Sequence, residues 1–457
     1  MERKKLLNIL FNEISASNTT TRNKKTTNAD AKSSRILATN VYIDNDTHHT
    51  RLNNNDLIIG PAGAGKTRGY VMPNLLSCNE SMIVVDTKNT LYNTYSDYLM
   101  YKGARVYQID FSGNSESDIG YNPFDYIRRD RNGYNEYDIL MMAEQLTPIS
   151  SPNEPFWDLS AKYVIASMIA YVCETLPEQE HNISALARIA SDFDSYEDML
   201  DEYMVSNADS IAIKYYNIMK STKNAEKTRA CISAFVFEKL IPLSNSASDK
   251  LFKASERLSI RELSYNKSVL FLNVSDTNHS LDALISLFYT QALAALMDEA
   301  DRNRDNRLTV PVRFIFDDFA AGTTLPAFDK TISVIRSREI YVSIVIQSLS
   351  QLESLYSKPA AQTIVNNCDH WLYLGGHDLD TIEQISRKAD KMVKNIANMP
   401  LDKVLVFERG KPAIFADKYD ISMNAEYRNM LDFKDKLFQL EKEYYENLAD
   451  SDLPFGE

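Results

Sequence analysis

The 457-residue sequence predicts an α/β fold: a mostly parallel sheet wound with helices, interrupted by an inserted all-α domain. Three observations predict it. Near-continuous apolar runs recur at 56–60 (DLIIG), 82–86 (MIVVD), 105–110 (RVYQID), 268–274 (SVLFLNV), 312–317 (VRFIFD), 341–346 (YVSIVI) and 370–374 (HWLYL). Such runs suit strands buried on both faces of a parallel sheet, and helical patterns separate them. Between about 134 and 262 no such run occurs; helical patterns at 156–176, 184–204, 208–220 and 225–240 are punctuated by Pro152, Pro155, Pro177 and Pro242.

In chain order, residues 1–36 read as a basic flexible segment with eight basic and three acidic residues. Within it, 15–35 is a Ser/Thr/Asn/Lys-rich linker. Leu6, Leu7, Ile9, Leu10 and Phe11 suit a short helix that docks on a partner or a membrane surface. Residues 37–133 form the first part of the α/β domain, 134–262 the all-α insertion, and 263–425 the second part. Residues 426–457 read as a C-terminal helix and an acidic tail.

The net charge of −13 argues against a protein that coats nucleic acid over its whole surface. It leaves room for a local basic channel. The cysteines Cys78, Cys173, Cys231 and Cys368 are far apart and lack CxxC spacing, so they read as reduced and buried. No run of 18 apolar residues is present, and the N-terminus does not read as a secretory signal. The expected location is cytoplasmic, or peripheral at the cytoplasmic face of a membrane.

The strongest motif is GPAGAGKT: Gly60, Pro61, Ala62, Gly63, Ala64, Gly65, Lys66 and Thr67. It fits G-x-x-x-x-G-K-[ST], follows an apolar strand and precedes a helix, the context such a phosphate-binding loop requires. Glycines let successive backbone N–H groups face phosphates, and the helix N-terminus adds positive potential. Lys66 would reach the β and γ phosphates, and the Thr67 hydroxyl would bind Mg²⁺. ATP is the expected nucleotide, because no guanine-reading Asn-Lys-x-Asp motif occurs where one is expected.

Such a loop needs a carboxylate at a neighbouring strand end. VRFIFDDF supplies Asp317 to orient the Mg²⁺ shell and Asp318 to activate water. Glutamate is commoner at the second position. Asp86, at the end of MIVVD, is expected to line the nucleotide pocket. Gln347 ends the next strand, where an amide would touch the γ phosphate. Arg336 and Arg338 precede that strand and are candidate arginine fingers for a neighbouring subunit.

Taken together, these residues resemble the coupling-protein ATPases of conjugative type IV secretion systems, the TraG/TraD-type family. The resemblance runs from about Asn53 to Asp390. It includes PNLL at 73–76, the strand ending Asp86-Thr87-Lys88, Tyr121-Asn122-Pro123, and EPFWDLSAKYVIASMIAYV at the start of an all-α domain. It also includes FIFDDFA and IQSLSQLESLY. The family usually shows Asp-Pro-Lys-Gly-Glu where this chain has Asp86-Thr87-Lys88-Asn89-Thr90, and most members begin with membrane-spanning helices.

The resemblance implies a RecA-like P-loop NTPase domain carrying an all-α domain. It implies a hexamer that uses ATP to drive relaxase-bound single-stranded DNA toward a type IV secretion channel. Its partners would be relaxosome proteins and channel components. Two alternatives stand beside it: a nucleotide-gated adaptor that binds relaxosome proteins with little hydrolysis, and an FtsK/HerA-like double-stranded DNA pump.

Overall fold

The computed structural model describes Leu7, Phe11 and residues 34–451, except 115–116, 132, 150–153, 221–224 and 320–323. Most of the N-terminal segment, and 452–457 of the acidic tail, lie outside the described residues. A nine-stranded sheet forms the centre. Ahead of it in the chain, β1 (Ser34–Ala38) and β2 (Val41–Asp44) make an antiparallel hairpin. The chain then runs through β3 (Asp56–Ile59), β4 (Ser81–Asp86) and β5 (Arg105–Asp110). A two-residue hairpin, β6 (Arg129–Asp130) and β7 (Gly133–Tyr134), leads into the helices. The remaining strands are β8 (Ser268–Asn273), β9 (Val312–Phe316), β10 (Ile340–Ile346), β11 (His370–Tyr373), β12 (Lys403–Glu408) and β13 (Ile414–Asp417).

The strand order is β13-β12-β11-β3-β10-β9-β4-β8-β5. Pairing is parallel from β11 to β5, and antiparallel only at β11–β12 and β12–β13. Every residue of β3, β4, β8, β9, β10 and β11 is buried, which is why these strands read as apolar runs. Alternation divides the core. Leu57, Ile59, Phe314 and Phe316 join the cluster that continues into the helical insertion. Ile58, Ile315, Val345 and Leu372 join the cluster on the opposite face.

Helices between β7 and β8 form the insertion. The central one, Phe156–Thr175, buries residues on most of its faces and is flanked by Glu136–Leu146, Ile183–Ser191, Phe193–Met204, Ile211–Lys220 and Glu226–Leu240. The single pattern expected over 184–204 is two helices, because Asp192 turns the chain and accepts from the Ser195 N–H at 3.3 Å. No helix among the described residues is long and apolar enough to cross a membrane.

Three local readings are corrected. Ser34 and Arg35 are not linker: they lie in β1, where Arg35 is 2% exposed and donates to Asp56 at 2.8 and 3.0 Å. Leu7 is buried in this chain's own core, and the Phe11 ring lies 5.7 Å from those of Tyr101 and Phe433. Cys231 is exposed, because its helix buries only Ile232, Val236 and Leu240.

Under β3 lies a buried charge network. Asp56 meets Arg35 and Arg313, and Arg313 also pairs with Glu80. Burial alone would raise the Asp56 carboxyl, but Arg35, His370 and Arg313 hold it well below the carboxylate range.

Candidate functional site

After β3 the chain turns through Gly60–Gly65 into a π-helical turn, Thr67–Val71, and then helix α1 (Met72–Ser77). Gly63 and Gly65 have φ of +76° and +85°, left-handed backbone that costs a residue with a β-carbon about 1–2 kcal/mol. The Gly60 N–H donates to the Ile346 carbonyl at 3.1 Å, docking the loop's start on β10. A β-carbon at Gly60 would sit 3.0 Å from that of Leu374. Ala64 N–H donates to Pro61 O at 3.1 Å, while Ala62 and Gly63 form the exposed tip. Lys66 donates to the carbonyls of Gly60 at 2.8 Å and Pro61 at 3.2 Å, so its ammonium folds back over the loop.

β9 delivers both predicted carboxylates to this loop. The Thr67 hydroxyl donates to Asp317 Oδ2 at 2.6 Å. Burial pushes the Asp317 carboxyl up, and the neighbouring Asp318 charge adds to the rise. Asp318 has φ +53°, a left-handed turn at the strand's end. Its Oδ1 lies 3.9 Å from Lys66 Nζ, and this buried oxygen has no hydrogen-bond partner among the described residues. A hydroxyl and two carboxylates form an oxygen-only set suited to a hard divalent cation such as Mg²⁺.

β10 lies between β3 and β9, so Gln347, the first residue after it, stands between the loop and the carboxylates. Its N–H donates to Gln351 Oε1 at 3.1 Å and its side chain is exposed.

Asp86 differs from expectation. Its carboxylate accepts from the N–H groups of Thr90 at 3.0 Å and Tyr92 at 2.9 Å, capping helix α2 (Thr90–Tyr101). The next residues, Thr87 and Lys88, do line a cavity of about 180 Å³ with Ser275, Tyr289, Asp317 and Asp318. Sequence reasoning missed Ser275 and Tyr289, because each reaches this cavity from a separate element with no local motif.

Arg336 and Arg338 lie at the opposite end of β10 from Gln347. Arg336 donates to Arg51 O at 2.8 Å, and Arg338 grips Asp301 at 2.8 and 3.0 Å. A seven-residue strand spans roughly 20 Å, so neither serves the loop of its own chain.

Two other motifs are joints. Asn74 of PNLL accepts from Ile36 N–H at 2.8 Å and donates to Ile36 O at 2.9 Å and Tyr70 O at 2.8 Å. It thereby fastens the N-terminal hairpin to the helix after the loop. Tyr121 donates to Gln291, on the helix Asp282–Arg302, at 2.6 Å, and Asn122 donates to His181 O at 2.6 Å, the bond that ties this segment to the insertion.

A phosphate-binding loop on a parallel sheet, facing carboxylates two strands away, defines a RecA-like P-loop protein with a helical insertion. Residues 10–393 match the family described as type IV secretory system conjugative DNA transfer, and the chain belongs to that family. It is 22% identical over 335 residues to Protein VirD4 of Rhizobium radiobacter, covering 72% of this chain. The chain spans about half the length of that relative, 47%. Among solved structures, unbound bacterial conjugative coupling protein TrwBΔN70 matches with TM-score 0.62 and 16% identity, covering 86% of this chain and 90% of that one. TrwB in complex with ADP and Mg²⁺ matches with TM-score 0.60 and 16% identity, covering 87% and 90%. VirB4 of Thermoanaerobacter pseudethanolicus matches with TM-score 0.51 and 12% identity, covering 86% and 98%.

Proposed function

We propose that the chain binds ATP with Mg²⁺ and hydrolyses it to drive relaxase-bound single-stranded DNA toward a type IV secretion channel. The observation that carries the ATPase reading is the double approach of β9 to the loop: Thr67 to Asp317 at 2.6 Å and Lys66 to Asp318 at 3.9 Å. Family membership carries the conjugative role.

Bound Mg²⁺ would supply positive charge to the β and γ phosphate oxygens. The Thr67 hydroxyl and Asp317 would hold it. Loop amides would cradle the phosphates, and Lys66 would leave the Gly60 and Pro61 carbonyls for phosphate oxygens. Asp318 would take a proton from the attacking water. Gln347 would contact the γ phosphate from between the two strands. Arg336 and Arg338 would act only on a neighbouring copy, as in a hexamer working at the cytoplasmic face of a membrane.

Steady-state ATPase measurements, alone and with single-stranded or duplex DNA, test this reading beside Lys66→Ala and Asp318→Ala. Stimulation by single strands, lost in both variants, is expected. ATP binding without turnover would favour the nucleotide-gated adaptor; preference for duplex DNA would favour the double-stranded pump.

A further inference from the structure

A segment beyond the family match packs on the phosphate-binding loop. After β13, Lys418 and Tyr419 cross the first turn of the helix that the loop opens. A β-carbon built on Gly65 would lie 3.9 Å from Lys418 Cδ. One on Gly69 would lie 3.6 Å from Tyr419 O and 3.9 Å from Lys418 Cγ. Gly65 and Gly69 are one helical turn apart and share a face. The Lys418 stem therefore runs along the turn whose amides receive phosphate.

The segment is fixed from both sides. Lys418 N–H donates to Asp402 O at 2.8 Å, and the Thr39 hydroxyl donates to Lys418 O at 3.0 Å. Asn424 donates to the Tyr419 hydroxyl at 3.0 Å. Lys418 as a residue is half-buried, and its ammonium has neither hydrogen bond nor ion pair among the described residues. Lysine stems bury along a surface while the charged head stays in water. The Lys418 head is an unpaired cation whose stem lies against the phosphate-binding turn.

We propose that Lys418 is a second phosphate-binding lysine, contacting the α-phosphate of a bound nucleoside triphosphate or diphosphate. The assignment rests on the nucleotide-binding reading above. Lys66 serves the β and γ phosphates, and the loop amides cradle the α and β phosphates. Lys418 flanks the same turn from outside, on the Gly65–Gly69 face. The contact comes from residues outside 10–393, so nucleotide affinity would depend on a part of the chain that the family match does not include.

The test uses the full chain, Mg²⁺ with ADP or ATP, and calorimetric titration. Lys418→Met keeps the stem on Gly65 and Gly69 and removes the charge. It should weaken ADP and ATP alike by about tenfold, the value of one charged hydrogen bond, with the melting temperature of the free protein unchanged. Lys418→Arg should retain most of the affinity. Parent and Lys418→Met binding within twofold of each other would overturn the assignment. A loss confined to ATP would move the ammonium to the γ phosphate and also overturn it. Failure of the parent to bind either nucleotide would overturn the nucleotide reading itself.

Discussion

The Thr67 hydroxyl donates to Asp317 Oδ2 at 2.6 Å across 250 residues of sequence, joining the end of β9 to the helix that the loop opens. This contact holds a buried carboxylate against its desolvation. The folded free protein raises the Asp317 pKa, so it favours the protonated form. Its contribution to stability is full below the ordinary value of 3.8 and is lost as pH rises through the raised value. Asp317→Asn should therefore raise the melting temperature of the nucleotide-free protein at pH 7, with the gain shrinking toward pH 4. Calorimetry across that range checks the sign, and turnover should be lost.

Asp318 carries the proton transfer in this reading. Asp318→Asn should lower kcat by about 10²–10⁴-fold while leaving the Kd for ATP near the parent value. Single-turnover kinetics beside equilibrium titration separates the two. An equal loss in both would assign Asp318 to binding.

Gly65→Ala places a β-carbon on left-handed backbone at φ +85° and within 3.9 Å of Lys418 Cδ. A destabilisation of about 1–2 kcal/mol is expected in urea unfolding, with weaker nucleotide binding.

Arg35→Met removes the partner that donates to both oxygens of Asp56 and leaves a buried carboxylate less compensated. A loss of about 3 kcal/mol is expected. The loss should shrink when Asp56→Asn is added, and a double-mutant cycle reads the coupling.

Gly120 marks the passage from sheet to insertion. A β-carbon there would lie 2.5 Å from Ala254 Cβ and 2.7 Å from Leu251 O. Gly120→Ala should cost about 1–3 kcal/mol by overpacking. Limited proteolysis should then cut the helical insertion faster than in the parent.

The strands most legible in the sequence are those buried on both faces, because burial removes polar residues from the run. β13 hides, since three of its four residues are exposed at the sheet's edge. β1 hides as well: what secures it is Asn74 and Asp56, partners far away in sequence. The site follows the same logic. Gly60–Thr67 is contiguous, and Asp317, Asp318 and Gln347 sit at strand ends, where topology gathers them. Asp86 also sits at a strand end, but the α2 N–H groups claim its carboxylate locally. Strand position is readable from a pattern; side-chain direction is settled by the nearest unsatisfied donors.

β5 and β8 are neighbours in the sheet, paired from Arg105↔Ser268 to Asp110↔Asn273, yet the helical insertion separates them along the chain. Closing a flexible loop of roughly 150 residues costs about 2 kcal/mol more than closing one of ten. Assembly order follows from this. The pair β9–β10 can zip without waiting for the insertion, whereas β5, which lies at the sheet's edge with β8 as its partner, gains that partner cheaply only after the helices have collapsed and shortened the path. The sheet's β5 edge is therefore the late-forming, first-fraying margin, and hydrogen exchange there should report on the insertion's integrity.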